Sequence, residues 1–208
     1  TANHDFQRPN IGTRNTMDQL KVAMTFFLTM PGVPFIYYGD EIGMKYQMNL
    51  PTKEGSNERA GTRTPMQWTA GPTAGFSTCE PAQLYFPVDT EDGKLTVEAQ
   101  EKDPNSLLNF TRELVRLRHA HSALHGNGEW ELVSKESQPY PMVYKRTAGG
   151  ETVVVAINPS ARKVSARIPH LGKARPLSMT GEATYKTGGK GDVINLKAIS
   201  AAVFKIIE

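Results

Sequence analysis

Pro34-Phe35-Ile36-Tyr37-Tyr38-Gly39-Asp40-Glu41 is a short apolar and aromatic run, closed by a glycine and an acidic pair. It does not alternate between apolar and polar residues. That pattern suits a strand buried on both faces, as in a parallel sheet. Upstream, Thr16-Met17-Asp18-Gln19 fits a capping box, and Leu20, Ala23, Met24, Phe27 and Leu28 follow at helical spacing. Met17 and Phe26 widen the stripe, so the spacing predicts a mostly buried helix ended by Pro31-Gly32. Helix, tight turn and buried strand make an αβ step. Functional side chains in such folds gather at the carboxyl ends of strands. Asp40-Glu41 stands at that end and reads equally well as a charged pair tethering the next loop.

Residues 1–15 are polar and read as a loop. Residues 44–102 are poor in periodicity, yet they hold Trp68, Phe76, Tyr85 and Phe86, which favour burial. A connection this long is usually functional or carries small elements of its own. The next helix is predicted from Asp103-Pro104, with Asp as cap and Pro as first helical residue. Leu107, Phe110, Leu114, Leu117 and His121 share one of its faces, and Gly126-Asn127-Gly128 stops it. Beyond Glu129 the period becomes two: Trp130/Leu132, Val153/Val155/Ile157, Val164/Ala166/Ile168, Ile194/Leu196 and Val203/Lys205/Ile207. Short alternating strands between Gly, Asn and Pro turns predict an antiparallel sandwich. The domains are therefore expected at 1–124 and 125–208.

The chain has 208 residues, 38% hydrophobic and 22% charged, with one cysteine and a net charge of +3. One cysteine excludes an internal disulfide and a Cys-based zinc cage. The weak charge bias gives no reason to expect nucleic acid or an acidic membrane as partner. No apolar run reaches the roughly 18 residues that a membrane span needs. The chain starts at Thr1, without an initiator Met or signal peptide, and reads as a processed or truncated piece.

Asn3-His4-Asp5, with Arg8 three residues on, is the densest polar cluster. A carboxylate beside a neutral donor can accept two sugar hydroxyls at once. Taken alone, the cluster reads first as a loop or helix-cap arrangement. His119, His121 and His125 lack the spacing of a metal site and read as helix-end histidines. Asp89 to Gly93 has the composition of a calcium loop but not its register, and reads as a solvated turn. Cys79 has no base placed beside it by any pattern and reads as a small turn residue.

Together the motifs resemble a known family. Asn3-His-Asp-Phe-Gln-Arg8, Pro31-Gly-Val-Pro-Phe-Ile-Tyr-Tyr-Gly-Asp-Glu-Ile-Gly-Met44, Arg63-Thr-Pro-Met-Gln-Trp68 and Ala74-Gly-Phe-Ser77 occur in the order of the α-amylase superfamily, glycoside hydrolase family 13. The run from Arg63 to Trp68 is most similar to the α-glucosidase, oligo-1,6-glucosidase and trehalose synthase branch. The resemblance implies an α/β plus all-β fold: the C-terminal end of a (β/α)8 TIM barrel followed by an antiparallel β-sandwich. On it, residues 1–124 hold the strand 7 loop, helix 7, strand 8 at Pro34 to Tyr38, a long loop and helix 8. It implies retaining cleavage of α-glucosidic bonds by two carboxyl groups, both upstream of this chain, with roughly 350 residues ahead of Thr1. Asp5 is then the third carboxylate, which holds hydroxyls 2 and 3 of the sugar, and His4 donates to the same hydroxyls. Arg8 and Arg63 join His4 as substrate-binding residues. Phe6 and Gln7 depart from the commoner Gln-Pro at those positions. The resemblance implies an α-glucoside or oligosaccharide substrate and no cofactor; any calcium site of the family would lie upstream.

Three further expectations follow. The polypeptide alone should not hydrolyse glycosides. The helix around Leu20–Met30 and the run Phe35–Tyr38 should pack against other material, so self-association through an exposed barrel edge is expected. Two rival readings are a non-catalytic relative acting as a partner subunit, and a sugar-binding module on 129–208. The module needs surface aromatics, and the only candidates are Trp130, Tyr140, Tyr144, Tyr185 and Phe204.

Overall fold

The computed structural model describes residues 2–12, 16–51, 59–89 and 93–207. The chain divides into two compact units, 1–20 with 35–111 and 21–34 with 112–208.

In the first unit β1 (Asn10–Ile11) pairs in parallel with β2 (Lys45–Tyr46). The helix α1 (Met17–Thr29) begins on the expected capping box: Gln19 N–H donates to Thr16 Oγ1 at 3.3 Å, and Thr16 N–H to Gln19 Oε1 at 2.8 Å. Leu20, Met24 and Leu28 are buried as the spacing predicts and Phe27 is half-buried, whereas Ala23 and Phe26 are exposed; Val22, Thr25 and Thr29 extend the buried face. The threonines tolerate burial because their hydroxyls donate back to helix carbonyls, Thr25 to Lys21 O and Thr29 to Thr25 O.

The run Pro34–Tyr38 departs from expectation. It forms no ladder among the described residues, and Phe35 is 80% exposed. A strand buried on both faces needs a sheet to pair in and layers packed over it, and none of the described strands pairs with this run. Gly39 still closes it as predicted, at φ +85°. A Cβ there would fall 3.2 Å from Arg8 Nη1 and inside the Met44 side chain. The aperiodic stretch contains small elements of its own, including α2 (Val97–Glu101) capped by Thr96. Gln100, at its end, is a buried polar clamp. It donates to Ile42 O at 2.6 Å and accepts from Leu108 N–H at 3.0 Å. Around it Ile42, Met44, Met66 and Leu108 form the core of this unit.

The last helix, α3 (Leu107–Ala120), starts later than Asp103-Pro104. Asp103 instead accepts from Asn105 N–H in a local turn, and Ser106 Oγ caps the helix at Asn109 N–H. Residues 90–92 of the Asp89–Gly93 turn lie outside the described residues.

In the second unit a five-stranded antiparallel sheet runs β3 (Glu129–Leu132), β4 (Met142–Ala148), β5 (Glu151–Asn158), β10 (Ser200–Ile207), β7 (Lys173–Thr180). A three-stranded sheet runs β6 (Val164–Ile168), β9 (Asp192–Leu196), β8 (Ala183–Lys186). Val143, Val154, Ala156, Ala202 and Phe204 pack against Ala166, Ile168, Ile194 and Leu196, which makes the sandwich core. The opposite face of the large sheet buries Tyr144, Val153, Val155 and Val203 against Val22, Ala123 and Leu124. Two covered faces explain why residues 153–157 are apolar without interruption. β4, β7 and β8 were not among the predicted strands. β7 carries Pro176, which an edge strand accommodates, and bulges where Val203 pairs Ser178 and Phe204 pairs Pro176. Of the aromatics that a sugar-binding module would need, Tyr144 and Phe204 lie in these cores.

Glu151 ties this unit together. Its carboxylate accepts from His121 Nδ1 at 2.6 Å, Lys205 Nζ at 2.7 Å and Ala123 N–H at 3.2 Å. Burial alone would raise its pKa, but the hydrogen bonds from Lys205, His121 and Ala123 and the His121 charge outweigh that and bring it down to about 2. In the unfolded chain the same group titrates near 4.3. Its contribution is therefore complete above that value and fades as pH falls towards 2. The urea midpoint of the wild-type chain should fall between pH 5 and pH 2.5, and that slope should be shallower in Glu151→Gln. Equal slopes would show that this carboxylate does not carry the acid sensitivity.

Candidate functional site

Asn3 shapes the loop that presents His4 and Asp5. Its Oδ1 accepts from Asp5 N–H at 2.8 Å and Phe6 N–H at 3.0 Å, an Asx turn that leaves both following side chains outward. The Asp5 side chain is 39% exposed and that of His4 69%. Asp5 Oδ2 lies 3.2 Å from His4 Nε2. Its Oδ1 lies 3.2 Å from Arg59 Nη1 and 3.5 Å from Arg63 Nη2. Arg63 Nε also donates to His4 O at 2.9 Å. The structure thus brings His4, Asp5 and Arg63 together.

Sequence reasoning missed Arg59. Its signal was closeness in the chain: Arg59 and Arg63 flank the single 3-10 turn Ala60–Thr62.

Arg8 is in a different place from the one expected of a substrate-binding residue. Its side chain is fully buried. Nη1 donates to Tyr38 O at 2.7 Å and Asp40 Oδ1 at 3.1 Å, and Nη2 to Thr62 O at 2.9 Å. The Tyr37 and Tyr38 rings lie 5.1 and 5.0 Å from its guanidinium carbon. A planar cation with this many donors is well suited to such a joint. Asp40 completes it by accepting Ala2 N–H at 2.7 Å, so Asp40 is a tether. Residues 2 and 8, on either side of His4-Asp5, are both fastened to one buried carboxylate. Arg8 therefore positions the loop.

Beyond Arg63 opens a cavity of about 630 Å³, lined by Tyr38, Glu41, Pro65, Met66, Trp68 and Phe76 among others. Burial pushes the Glu41 carboxyl above the ordinary carboxylate range, and its Oε2 has no hydrogen-bond partner among the described residues. Of the histidines near residue 120, His121 is held by Glu151, and His125 Nε2 lies 3.3 Å from His119 O. Cys79 sits in a turn, its N–H donating to Ser77 Oγ.

The chain matches two family descriptions, "Alpha amylase, catalytic domain" over residues 1–127 and "Maltogenic Amylase, C-terminal domain" over residues 131–202. It is 32% identical over 200 residues to the trehalose synthase/amylase TreS of Mycobacterium tuberculosis, covering 88% of this chain and 32% of that protein. It is 29% identical over 182 residues to the oligo-1,6-glucosidase of Parageobacillus thermoglucosidasius, covering 74% and 31%. In fold it resembles the crystal structure of the trehalulose synthase MutB from Pseudomonas mesoacidophila, with a TM-score of 0.80 at 24% identity over 98% of this chain and 42% of that one. The chain spans about a third of the length of these two curated relatives. Its fold is the C-terminal end of a (β/α)8 barrel followed by an antiparallel β-sandwich, and the chain belongs to the α-amylase family, glycoside hydrolase family 13.

Proposed function

We propose that this chain supplies the carboxylate that steadies the transition state of a retaining α-glucosidase-type reaction. Asp5 carries the reading: a part-exposed carboxylate with Arg59 and Arg63 on one oxygen and His4 on the other. Adjacent hydroxyls of a glucose ring can donate to it. As positive charge develops at the anomeric carbon, those hydroxyls become better donors, so their bonds to a carboxylate strengthen more in the transition state than in the ground state. His4 supplies a donor to the same hydroxyls. Arg63 fixes the His4 backbone and takes part in binding.

In this reading residues 1–124 are the end of the catalytic barrel and 125–208 its C-terminal domain. The nucleophile and the acid/base belong to parts of the barrel that this chain does not include. The substrate is an α-glucoside or oligosaccharide, and neither nucleic acid nor membrane is a partner. The exposed Phe35 and Ile36 of the first unit offer an edge for self-association. Incubated with maltose, isomaltose and an aryl α-glucoside, the purified chain should release no glucose. Turnover above background would overturn the division of labour.

A further inference from the structure

At one end of the β-sandwich, within the second unit, lies a cavity of about 510 Å³. The β4–β5 turn, the connection from β6 to β7, the residue after β8 and the end of β10 meet around it. Leu171, Ile206 and Ile207 give it an apolar floor, and Thr152, Thr187, His170 and Lys173 are its polar side chains. Among the described residues no carboxylate and no Phe, Tyr or Trp lines it, so a glucan finds no ring to stack on. Gly149 and Gly150 turn the chain at φ +58° and +77°, and a Cβ on Gly150 would meet nothing within 4 Å, so the mouth stays open.

The His170 ring is held from behind. Its Nδ1 lies 2.8 Å from Asp192 Oδ1, and the Asp192 side chain is fully buried. Asp192 also accepts from Leu171 N–H at 2.8 Å, the Tyr185 hydroxyl at 2.6 Å and Gly188 N–H at 3.3 Å. Burial alone would raise its pKa, but these bonds bring it down to about 2, so the group is a carboxylate. A carboxylate at Nδ1 keeps a proton there and fixes the ring. Nε2 is left to share a proton with an incoming acid, accepting from P–OH or donating to P–O⁻. Lys173, three residues on, adds a positive charge, and its ammonium has no ion-pair partner among the described residues.

We propose that this cavity binds a small phosphate monoester, its phosphate between His170 and Lys173 and its organic part on Ile206 and Ile207. Cationic and hydroxyl groups without a lining carboxylate select an anion, and an apolar floor selects one carried on a small body. The proposal is independent of the reading of Asp5, which lies in the first unit.

Isothermal titration of the 208-residue chain, at ionic strength matched with NaCl, compares inorganic phosphate, glucose 6-phosphate, phenyl phosphate and glucose. At least one ester should bind saturably with a Kd of about 1 mM or below, about threefold or more tighter than inorganic phosphate. The tighter ester tells whether the body is a sugar or an apolar ring. Lys173→Gln should weaken it about five- to tenfold. His170→Asn keeps an N–H towards Asp192, removes Nε2 and should weaken it by a similar factor. Ile207→Ser should weaken the ester and leave inorganic phosphate unchanged. No saturation by either ester below about 10 mM would overturn the proposal. So would inorganic phosphate or glucose binding as tightly as the esters, or unchanged binding in Lys173→Gln. That variant decides even where His170→Asn loses stability, because the exposed Lys173 supports no buried group.

Discussion

Asp5→Asn in the full-length enzyme is expected to lower kcat about a hundred- to a thousandfold and to leave the fold intact. The side chains are nearly isosteric, so the loop keeps its shape. Asn3 holds that loop through the backbone N–H of residues 5 and 6, which the substitution does not touch. What is lost is charge. A neutral amide offers one acceptor and turns two N–H donors towards Arg59, Arg63 or the sugar hydroxyls. Arg59 and Arg63 lose their carboxylate, and the developing cation loses its nearest anion on this loop. The effect belongs in kcat, because the carboxylate's advantage over an amide grows as the sugar becomes cationic. The measurement is steady-state turnover of an aryl α-glucoside, with circular dichroism and melting to check the fold. A kcat within about threefold of wild type would remove Asp5 from the mechanism.

The fold was legible where local chemistry and packing agree. The Thr16–Gln19 capping box formed as read, because both partners lie within four residues of each other. Ile194, Leu196 and Val203 took core positions that period-two alternation predicts. The stretch Pro34–Tyr38 was misread because its apolar character reports neighbours that the described residues do not supply. β7 and β8 were missed because edge strands carry polar residues on their open side, and β7 adds a proline. The site divides in the same way. His4, Asp5 and Arg63 meet in the structure. The role of Arg8 was not legible, since nothing local in Asp-Phe-Gln-Arg says that an arginine will be enclosed by two tyrosines about 30 residues downstream. Buried arginines are the general difficulty here: most of their partners are backbone carbonyls, which every sequence contains.

Arg146 is the strongest case, and Arg146→Ala is expected to cost the second unit about 3–5 kcal/mol. The residue sits in β4 and is 0% exposed. In the sequence it stands between Lys145 and Thr147. In the structure its guanidinium is spent on carbonyls. Nε donates to Glu129 O at 3.1 Å, Nη2 to His125 O at 2.6 Å and Gly128 O at 3.1 Å, and Nη1 to Thr29 O. Arg118 does the same beside it, donating to Leu28 O, Met30 O and Gly32 O. Two cations thus close the C-terminal end of α1, where unpaired carbonyls and the negative end of the helix dipole gather. Burial lowers the pKa of both, and the Arg118 charge lowers that of Arg146 further. Truncation at 146 removes the donors and leaves four carbonyls without them, with a void where the side chain stood. Arg146→Lys should recover little, because one ammonium cannot reach acceptors spread around a planar fork. Urea titration of the 208-residue chain reads both variants. A loss below about 1 kcal/mol in Arg146→Ala would mean that water takes over the carbonyls, and that the second unit does not depend on this arginine to hold the helix end.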